Sequence, residues 1–213
     1  MEDRSQERKP VKGKNGRACG EGSRPASAIG DIAVELHGIL DEFLRTRAAA
    51  LDAAVQALAA AARSGRKILV FGNGGSAAEA QHFAAELVNG LSHRDARPVA
   101  AVALTTDTSA LTAIGNDRGF DFVFSRQIEA LGSSGDVALA LTTSGLSANV
   151  LKGLKAARAK GLVTIALTGE NPSRIAPLAD HLLDVPSRST PRIQEAHLFI
   201  LHFLAGGLEK DAA

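Results

Sequence analysis

The chain has 213 residues, which suits one domain, and its 45% hydrophobic content without Trp or Tyr predicts an aliphatic core rich in Ala and Gly. Its 24 Lys and Arg residues balance 23 Asp and Glu residues, so the net charge of +1 gives no indication of a nucleic-acid partner. No apolar run reaches the ~20 residues that a membrane span needs, and a single cysteine, Cys19, excludes an internal disulfide and favours the reducing cytoplasm.

Residues 1–30 differ in composition from the rest of the chain. Lys and Arg are mixed there with Gly, Ser and Pro, and almost no apolar side chain is present to offset the entropy cost of ordering. We therefore predict a disordered basic tail over residues 1–30 and a single domain over residues 31–213. A nucleic-acid-binding arm is the alternative, which the acidic residues of the same segment weaken.

The remainder alternates between helical and strand patterns. From Asp31 apolar residues recur every three or four positions, which predicts a long amphipathic helix. Continuous apolar runs, typical of strands buried on both faces, follow at 68–71, 99–104, 137–141, 163–167 and 182–185. Helices are predicted between them at 77–89, 109–114, 122–131, 148–160 and 172–178, and a terminal helix at about 191–210. The predicted fold class is α/β, with a five-stranded parallel sheet flanked by helices on both faces.

Ligands of such sheets bind beyond the carboxyl ends of the strands, and the first strand is followed there by a glycine-rich loop. Residues 72–76 read Gly-Asn-Gly-Gly-Ser and open a helix, an arrangement that brings backbone N–H groups towards an anion. A tight turn without a ligand is one alternative. A dinucleotide-binding loop is another, although no acidic residue ends the second strand at the expected distance, and a Walker loop is excluded because Gly-Lys-Ser/Thr is absent.

The loop after the third strand is rich in hydroxyl groups. Thr142, Thr143, Ser144 and Ser147 surround Gly145 at the start of another helix. Hydroxyls and helix N–H groups bind a phosphate monoester without a cation. Helix capping is the alternative interpretation, but a cap needs one hydroxyl rather than four. The loop therefore predicts a phosphate site.

Acid, base and metal candidates lie on two predicted helices. His82 and Glu86 are four residues apart on one helix face, near the glycine-rich loop, which suits a divalent metal or proton transfer. A solvated surface pair is the alternative. The terminal helix adds Gln194 and His202, for which a helix-start polar residue and a buried structural histidine are the alternatives. The other four histidines have no motif around them and are interpreted as structural: His37, His93, His181 and His197.

Together these motifs resemble the phosphoheptose isomerases, a branch of the SIS (sugar isomerase) domain family. The matching segments lie at 71–76, 82–86, 115–117, 143–150 and 192–195 and are followed by His202. They occur in order and at matching spacing between residues 32 and 210. Two positions differ from the usual pattern, because Thr142 stands where Ser is usual and Leu146 where Asn is usual.

The resemblance implies roles for individual residues. Glu86 resembles the family's catalytic base and His202 its partner acid/base. A metal site, usually holding one Zn²⁺ per subunit, is implied at His82, Glu86, Gln194 and His202. Substrate contacts are implied at Asn73, Gly74, Gly75, Glu86, Asn116, Asp117, Thr142, Thr143, Ser144, Ser147 and Gln194.

The resemblance also implies a reaction and an assembly. Sedoheptulose 7-phosphate is converted through an enediol to D-glycero-D-manno-heptose 7-phosphate, the first step towards the ADP- and GDP-heptose precursors of lipopolysaccharide and other bacterial polysaccharides. Members are typically homotetramers. Gln194 and His202 lie eight residues apart, about 12 Å along a regular helix, which is too far to bind one metal. We therefore predict that sites are shared between subunits, or that the terminal helix starts after Gln194.

Two rival classes share this type of sequence. Non-catalytic SIS-fold adaptors bind the bacterial replication initiator, and segments 81–85 and 112–114 fit either branch. The adaptors do not keep both a Glu86-type and a His202-type residue, whereas this chain has both. Sugar-phosphate-sensing regulators carry a DNA-binding domain, for which residues 1–30 are too short.

Overall fold

The computed structural model describes residues 25–91 and 97–212. Residues 1–24 of the predicted tail, with Cys19, and His93 lie outside the described residues. Helix α1 runs over Pro25–Arg63, so it begins six residues before Asp31, where the sequence pattern predicted its start. A proline is favoured in the first turn of a helix, which fits the start at Pro25.

The five predicted strands form one sheet. The strands are β1 (Ile68–Gly72), β2 (Ala101–Ala103), β3 (Val137–Thr142), β4 (Val163–Thr168) and β5 (His181–Asp184). They pair in the order β2-β1-β3-β4-β5, and every pair is parallel, which confirms the predicted sheet. Because β1 and β3 are neighbours in the centre of the sheet, the loops that follow them lie side by side.

Helices connect the strands. After α1 they are α2 (Gly75–Asn89), α3 (Thr108–Arg118), α4 (Val123–Leu131), α5 (Ala148–Ala159) and α6 (Thr190–Ala212). The helix predicted at 172–178 is wrong, since only a 3-10 turn forms there over Ala176–Leu178. Within it Pro177 has no N–H to donate, and the N–H groups of Ile175 and Ala176 close a local turn on the carbonyl of Pro172.

Both faces of the sheet are covered by helices, as predicted. Successive strand residues point to opposite faces, so Val70 packs with Phe83 and Ile200, on α2 and α6, while Phe71 packs with Phe124 on α4. No helix in the described part of the chain combines the length and the apolarity that a membrane crossing needs. Helices α2 and α6 therefore share one face, and this position decides the geometry of the candidate site.

Candidate active site

A pocket of about 250 Å³ lies at the carboxyl ends of β1 and β3. Gly72 ends β1 there, and a Cβ on Gly72 would lie 2.7 Å from the carbonyl oxygen of Leu141, so only glycine fits. The lining residues are Asn73, Gly75, Ser76, Leu141, Thr142, Thr143, Ser147, Thr190 and Gln194. Most of the predicted contacts in the two loops are thus brought together with Gln194.

The hydroxyl groups of the second loop have different surroundings. Thr142 is buried, and its Oγ1 accepts a hydrogen bond from the N–H of Gly145 at 3.2 Å, which shapes the loop. Ser147 precedes α5 at the capping position, yet its side chain makes no capping hydrogen bond. Ser147 lines the pocket. The capping interpretation therefore fails at Ser147.

Ser144 lies at the edge of this pocket rather than inside it. Its Oγ accepts a hydrogen bond from the N–H of Leu146 at 3.2 Å. Together with Thr143 it lines a neighbouring cavity of about 360 Å³, which Glu170 and Arg188 also line. Thr143 thus borders both cavities, and the Leu146 side chain is exposed.

The glycine-rich loop gives room to Gln194. Gly74 has φ +57°, a left-handed conformation that favours glycine, and no side chain caps α2. A Cβ on Gly75 would lie 2.8 Å from Cδ of Gln194, so the amide of Gln194 lies directly against the glycine backbone. The N-termini of α2 and α5 and the first turns of α6 therefore converge on the pocket, and helix N-termini favour an anion.

His82, Glu86 and His202 form a separate cluster further along α2 and α6. The Nε2 atoms of His82 and His202 are 2.8 Å apart, which is within hydrogen-bond distance. Oε1 of Glu86 lies 3.8 Å from Nε2 of His82. Among the described residues neither Glu86 nor His202 lines the pocket at the carboxyl edge.

The cluster fits a metal in donor type but not in arrangement. Imidazole nitrogen and carboxylate oxygen are ligands that zinc prefers. Within the described ranges, however, no three His, Cys, Asp or Glu side chains are arranged to hold an ion. Gln194 and His202 both lie inside α6, so the prediction that the helix starts after Gln194 is wrong. The two side chains are about 12 Å apart along it, and one chain alone does not bring all four predicted ligands together.

Asn116 and Asp117 are not part of the pocket in a single chain. Both lie exposed on α3, where Nδ2 of Asn116 donates a hydrogen bond to Oδ1 of Asp117 at 2.7 Å. Asp117 lines a different cavity, between α3 and α4. Their assignment as substrate contacts stays a prediction.

A buried Glu79–His197 pair lies one turn beyond Gly75 and Gln194. Oε2 of Glu79 and Nδ1 of His197 are 3.9 Å apart and have no hydrogen-bond partner, while Nε2 of His197 donates to the carbonyl of Thr168 at 3.3 Å. Burial raises the pKa of Glu79 to about 7, against a hydrogen bond with Ser76 that lowers it, and burial lowers the pKa of His197 to about 4. Because burial disfavours the charged form of both groups, the pair is not an ion pair at pH 6.

Some residues at the pocket were not among the site residues predicted from the sequence. Ser76, Leu141 and Thr190 line the pocket, and Asn149 contacts it through Asn73. Ser76 and Asn149 stand inside the two loop motifs, so their position was a usable signal. Leu141 lies there because it is near the carboxyl end of β3. Thr190 carried no such signal, because only the packing of α6 against the sheet brings it there.

Comparison with known proteins identifies the family to which this chain belongs. A family model described as the SIS domain matches residues 33–169. The phosphoheptose isomerase of a Bradyrhizobium species is 57% identical over 150 residues, which are 70% of this chain and 75% of the relative. The chain belongs to the phosphoheptose isomerases of the SIS domain family.

Other phosphoheptose isomerases match over greater lengths. That of Geobacter sulfurreducens is 49% identical over 185 residues, covering 85% of this chain and 97% of the relative. The solved structure of the phosphoheptose isomerase from Neisseria gonorrhoeae has a TM-score of 0.81 at 42% identity, covering 87% of this chain and 98% of the other. The predicted family and fold are confirmed.

Proposed function

We propose that this protein interconverts sedoheptulose 7-phosphate and D-glycero-D-manno-heptose 7-phosphate, the first step in the synthesis of nucleotide-activated heptose. The observation that carries the proposal is the convergence of the glycine loop, the hydroxyl loop and Gln194 on one pocket in a chain whose relatives are named phosphoheptose isomerases. The reaction takes place in the cytoplasm, in keeping with a chain that has one cysteine.

The pocket at the carboxyl edge binds the phosphate group. The hydroxyls of Thr143 and Ser147 donate hydrogen bonds to phosphate oxygens, and the N-terminus of α5 adds backbone N–H groups. Ser144, at the rim, contributes from the neighbouring cavity. Asn73, Gly74 and Gly75 contact the sugar from the other loop. None of these contacts needs a positively charged side chain.

The cluster on α2 and α6 performs the proton transfers. Converting a 2-ketose to an aldose moves one proton from C1 to C2 and one from the C1 hydroxyl to the C2 oxygen. The carboxylate of Glu86 takes the C1 proton, which leaves a cis-enediolate, and later returns a proton to C2. The imidazole of His202 moves the proton between the two oxygens. Such positioned groups each contribute about 10²–10⁴ in rate.

A metal is consistent with the donor set but is not needed for the proton balance. His82, Glu86, Gln194 and His202, contributed by two subunits, would hold one Zn²⁺ per subunit. When bound, the ion would polarise the sugar carbonyl. Glu86 would then serve both as ligand and as base, and ligation lowers its basicity.

We propose that the active sites are shared between subunits of a homotetramer. His82 lies seven positions after Gly75, so about 10 Å of α2 lies between the pocket and the cluster of the same chain. The cluster is partly exposed, and Phe199 and Phe203 beside it on α6 are 44% and 47% exposed. Exposed aromatic side chains around a polar cluster favour its burial against another copy. Asn116 and Asp117 on exposed α3 would then reach a neighbouring pocket.

The deciding experiment is turnover of sedoheptulose 7-phosphate by the purified full chain, with and without a chelator. We expect the aldose product to form, the chelator to slow its formation, and added Zn²⁺ to restore it. Zinc content measured by mass spectrometry of the native protein provides a readout independent of activity. Absence of turnover in zinc-supplemented, folded protein would overturn the proposal and leave the non-catalytic adaptor as the better candidate.

A further inference from the structure

Asn149 makes a reciprocal amide pair with Asn73. Nδ2 of Asn73 donates to Oδ1 of Asn149 at 2.9 Å, and Nδ2 of Asn149 donates to Oδ1 of Asn73 at 2.8 Å. Asn149 is buried, 4% exposed, in the first turn of α5, whereas Asn73 lines the pocket. Asn149 is not among the residues that line the pocket, so it reaches the pocket through Asn73.

The orientation of both amides is fixed by one backbone group. The N–H of Val150 donates to Oδ1 of Asn149 at 2.9 Å, which settles which end of the Asn149 amide is the oxygen. The reciprocal pair then settles the orientation of the Asn73 amide. Each amide has two N–H groups and two lone pairs on oxygen, so the pair leaves Asn73 one N–H and one lone pair for a ligand.

The amide pair also joins the two ligand loops. Asn73 follows β1 in the glycine loop, and Asn149 lies two residues after Ser147 in the hydroxyl loop. We propose that Asn149 is a positioning residue that aligns the Asn73 amide with the sugar while the hydroxyl loop holds the phosphate. The proposal rests on the proposed function, because it takes a sugar phosphate as the ligand that spans the two loops.

The pair requires one donor and one acceptor from each side chain. In Asn149→Asp, a carboxylate oxygen would face Oδ1 of Asn73, so two acceptors would oppose each other. The same variant keeps the acceptor for the N–H of Val150 and nearly the same volume, and it therefore preserves the start of α5. In Asn149→Ala both hydrogen bonds to Asn73 are lost and its amide is free to rotate.

A double-mutant cycle tests the proposal. Binding of sedoheptulose 7-phosphate is measured by calorimetry in the Glu86→Gln background, which removes the proposed base and so permits binding without turnover. We expect Asn149→Ala and Asn149→Asp each to weaken binding about tenfold. In a chain that also carries Asn73→Ala, we expect Asn149→Ala to have no further effect, because the residue acts through Asn73.

Two outcomes would overturn the inference: unchanged binding in both Asn149 variants, or an equal loss with and without Asn73. Thermal unfolding of each variant separates misfolding from mispositioning, and Asn149→Asp provides the test if Asn149→Ala is unfolded. The exposed Asn89 at the end of α2 supplies the control Asn89→Ala, which should bind normally. Failure of the proposed function is seen separately, as a wild-type chain that binds the sugar phosphate but does not isomerise it.

Discussion

The pocket at the carboxyl edge and the histidine cluster on α2 and α6 differ in how much of each is complete within one chain. The pocket is built from strand ends and helix N-termini, and its loops are tied together by the Asn73–Asn149 pair. The cluster of His82, Glu86 and His202 is partly exposed on the surface of two helices. Among the residues that the structure describes, no three His, Cys, Asp or Glu side chains are arranged to hold a metal.

This difference indicates a division of labour. In the proposed function, the phosphate is bound by hydroxyl groups and helix N-termini that the sheet positions within a single chain. In the proposed shared site, the side chains that transfer protons reach the substrate only where another subunit covers them. The first region should therefore control affinity and the second the chemical step, and only the second should depend on assembly.

The largest effect is expected from Glu86→Gln. Because the amide cannot accept the C1 proton, kcat should fall by about 10²–10⁴ or more while KM changes little. Steady-state kinetics with sedoheptulose 7-phosphate measure both constants. The matched control is Glu129→Gln, at an exposed carboxylate paired with Arg126, which should leave both unchanged.

Mixing two inactive variants tests whether the pocket of one subunit and the cluster of another form one active site. Glu86→Gln has an intact pocket, and Ser147→Phe fills the pocket but keeps the cluster. If pocket and cluster from different subunits form one site, a mixed assembly recovers part of the wild-type turnover although neither variant is active alone. No recovery in an assembly that native mass spectrometry shows to be mixed would contradict shared sites.

A smaller effect is expected from Thr143→Val, which removes one hydroxyl from the pocket and keeps the side-chain shape. Loss of a hydrogen bond to a charged group should raise KM, and the inhibition constant of inorganic phosphate, by roughly 10- to 100-fold with little change in kcat. Thr46→Val, on the exposed face of α1, is the control. A fall in kcat at constant KM would show that Thr143 acts in the chemical step instead.

The smallest expected effect is on how the free energy of unfolding depends on pH, and it comes from the buried Glu79–His197 pair. The pKa of His197 is lowered from 6.5 to about 4 by burial, so the unfolded chain binds a proton at pH 5 that the folded chain does not. Wild type therefore loses about 2 kcal/mol of stability between pH 7 and pH 5 relative to His197→Gln. Urea unfolding of both proteins at the two pH values measures this difference.

Glu79 contributes to stability with the opposite sign. Its raised pKa, about 7, means that its contribution is present below the unfolded value of 4.5 and is lost as the pH rises to 7. Because Glu79 is present in both proteins, its contribution to the free energy of unfolding cancels to first order when wild type is compared with His197→Gln. A gap between wild type and His197→Gln that stays constant with pH would contradict the burial of a neutral His197.

Much of the fold and half of the site could be predicted from local patterns. Continuous apolar runs predicted all five strands, because a strand buried on both faces has no polar alternation. The glycine loop and the hydroxyl loop were each predicted as ligand-binding loops, because ligands of parallel sheets bind beyond the carboxyl ends of the strands. That the two loops are neighbours was decided by the strand order. The helix predicted over 172–178 was wrong, because Pro177 has no N–H to donate and a local turn closes on the carbonyl of Pro172.

The sequence by itself determined the strands, the two ligand loops and the pairing of His82 with Glu86, because each follows from residues close together in the chain. Only the tertiary structure decided that Asn149 contacts Asn73, that Gln194 packs on Gly75, and that His202 meets His82 away from the pocket. Those contacts join residues 76 to 120 positions apart, and the packing of α5 and α6 against the rest of the fold sets them rather than any local spacing.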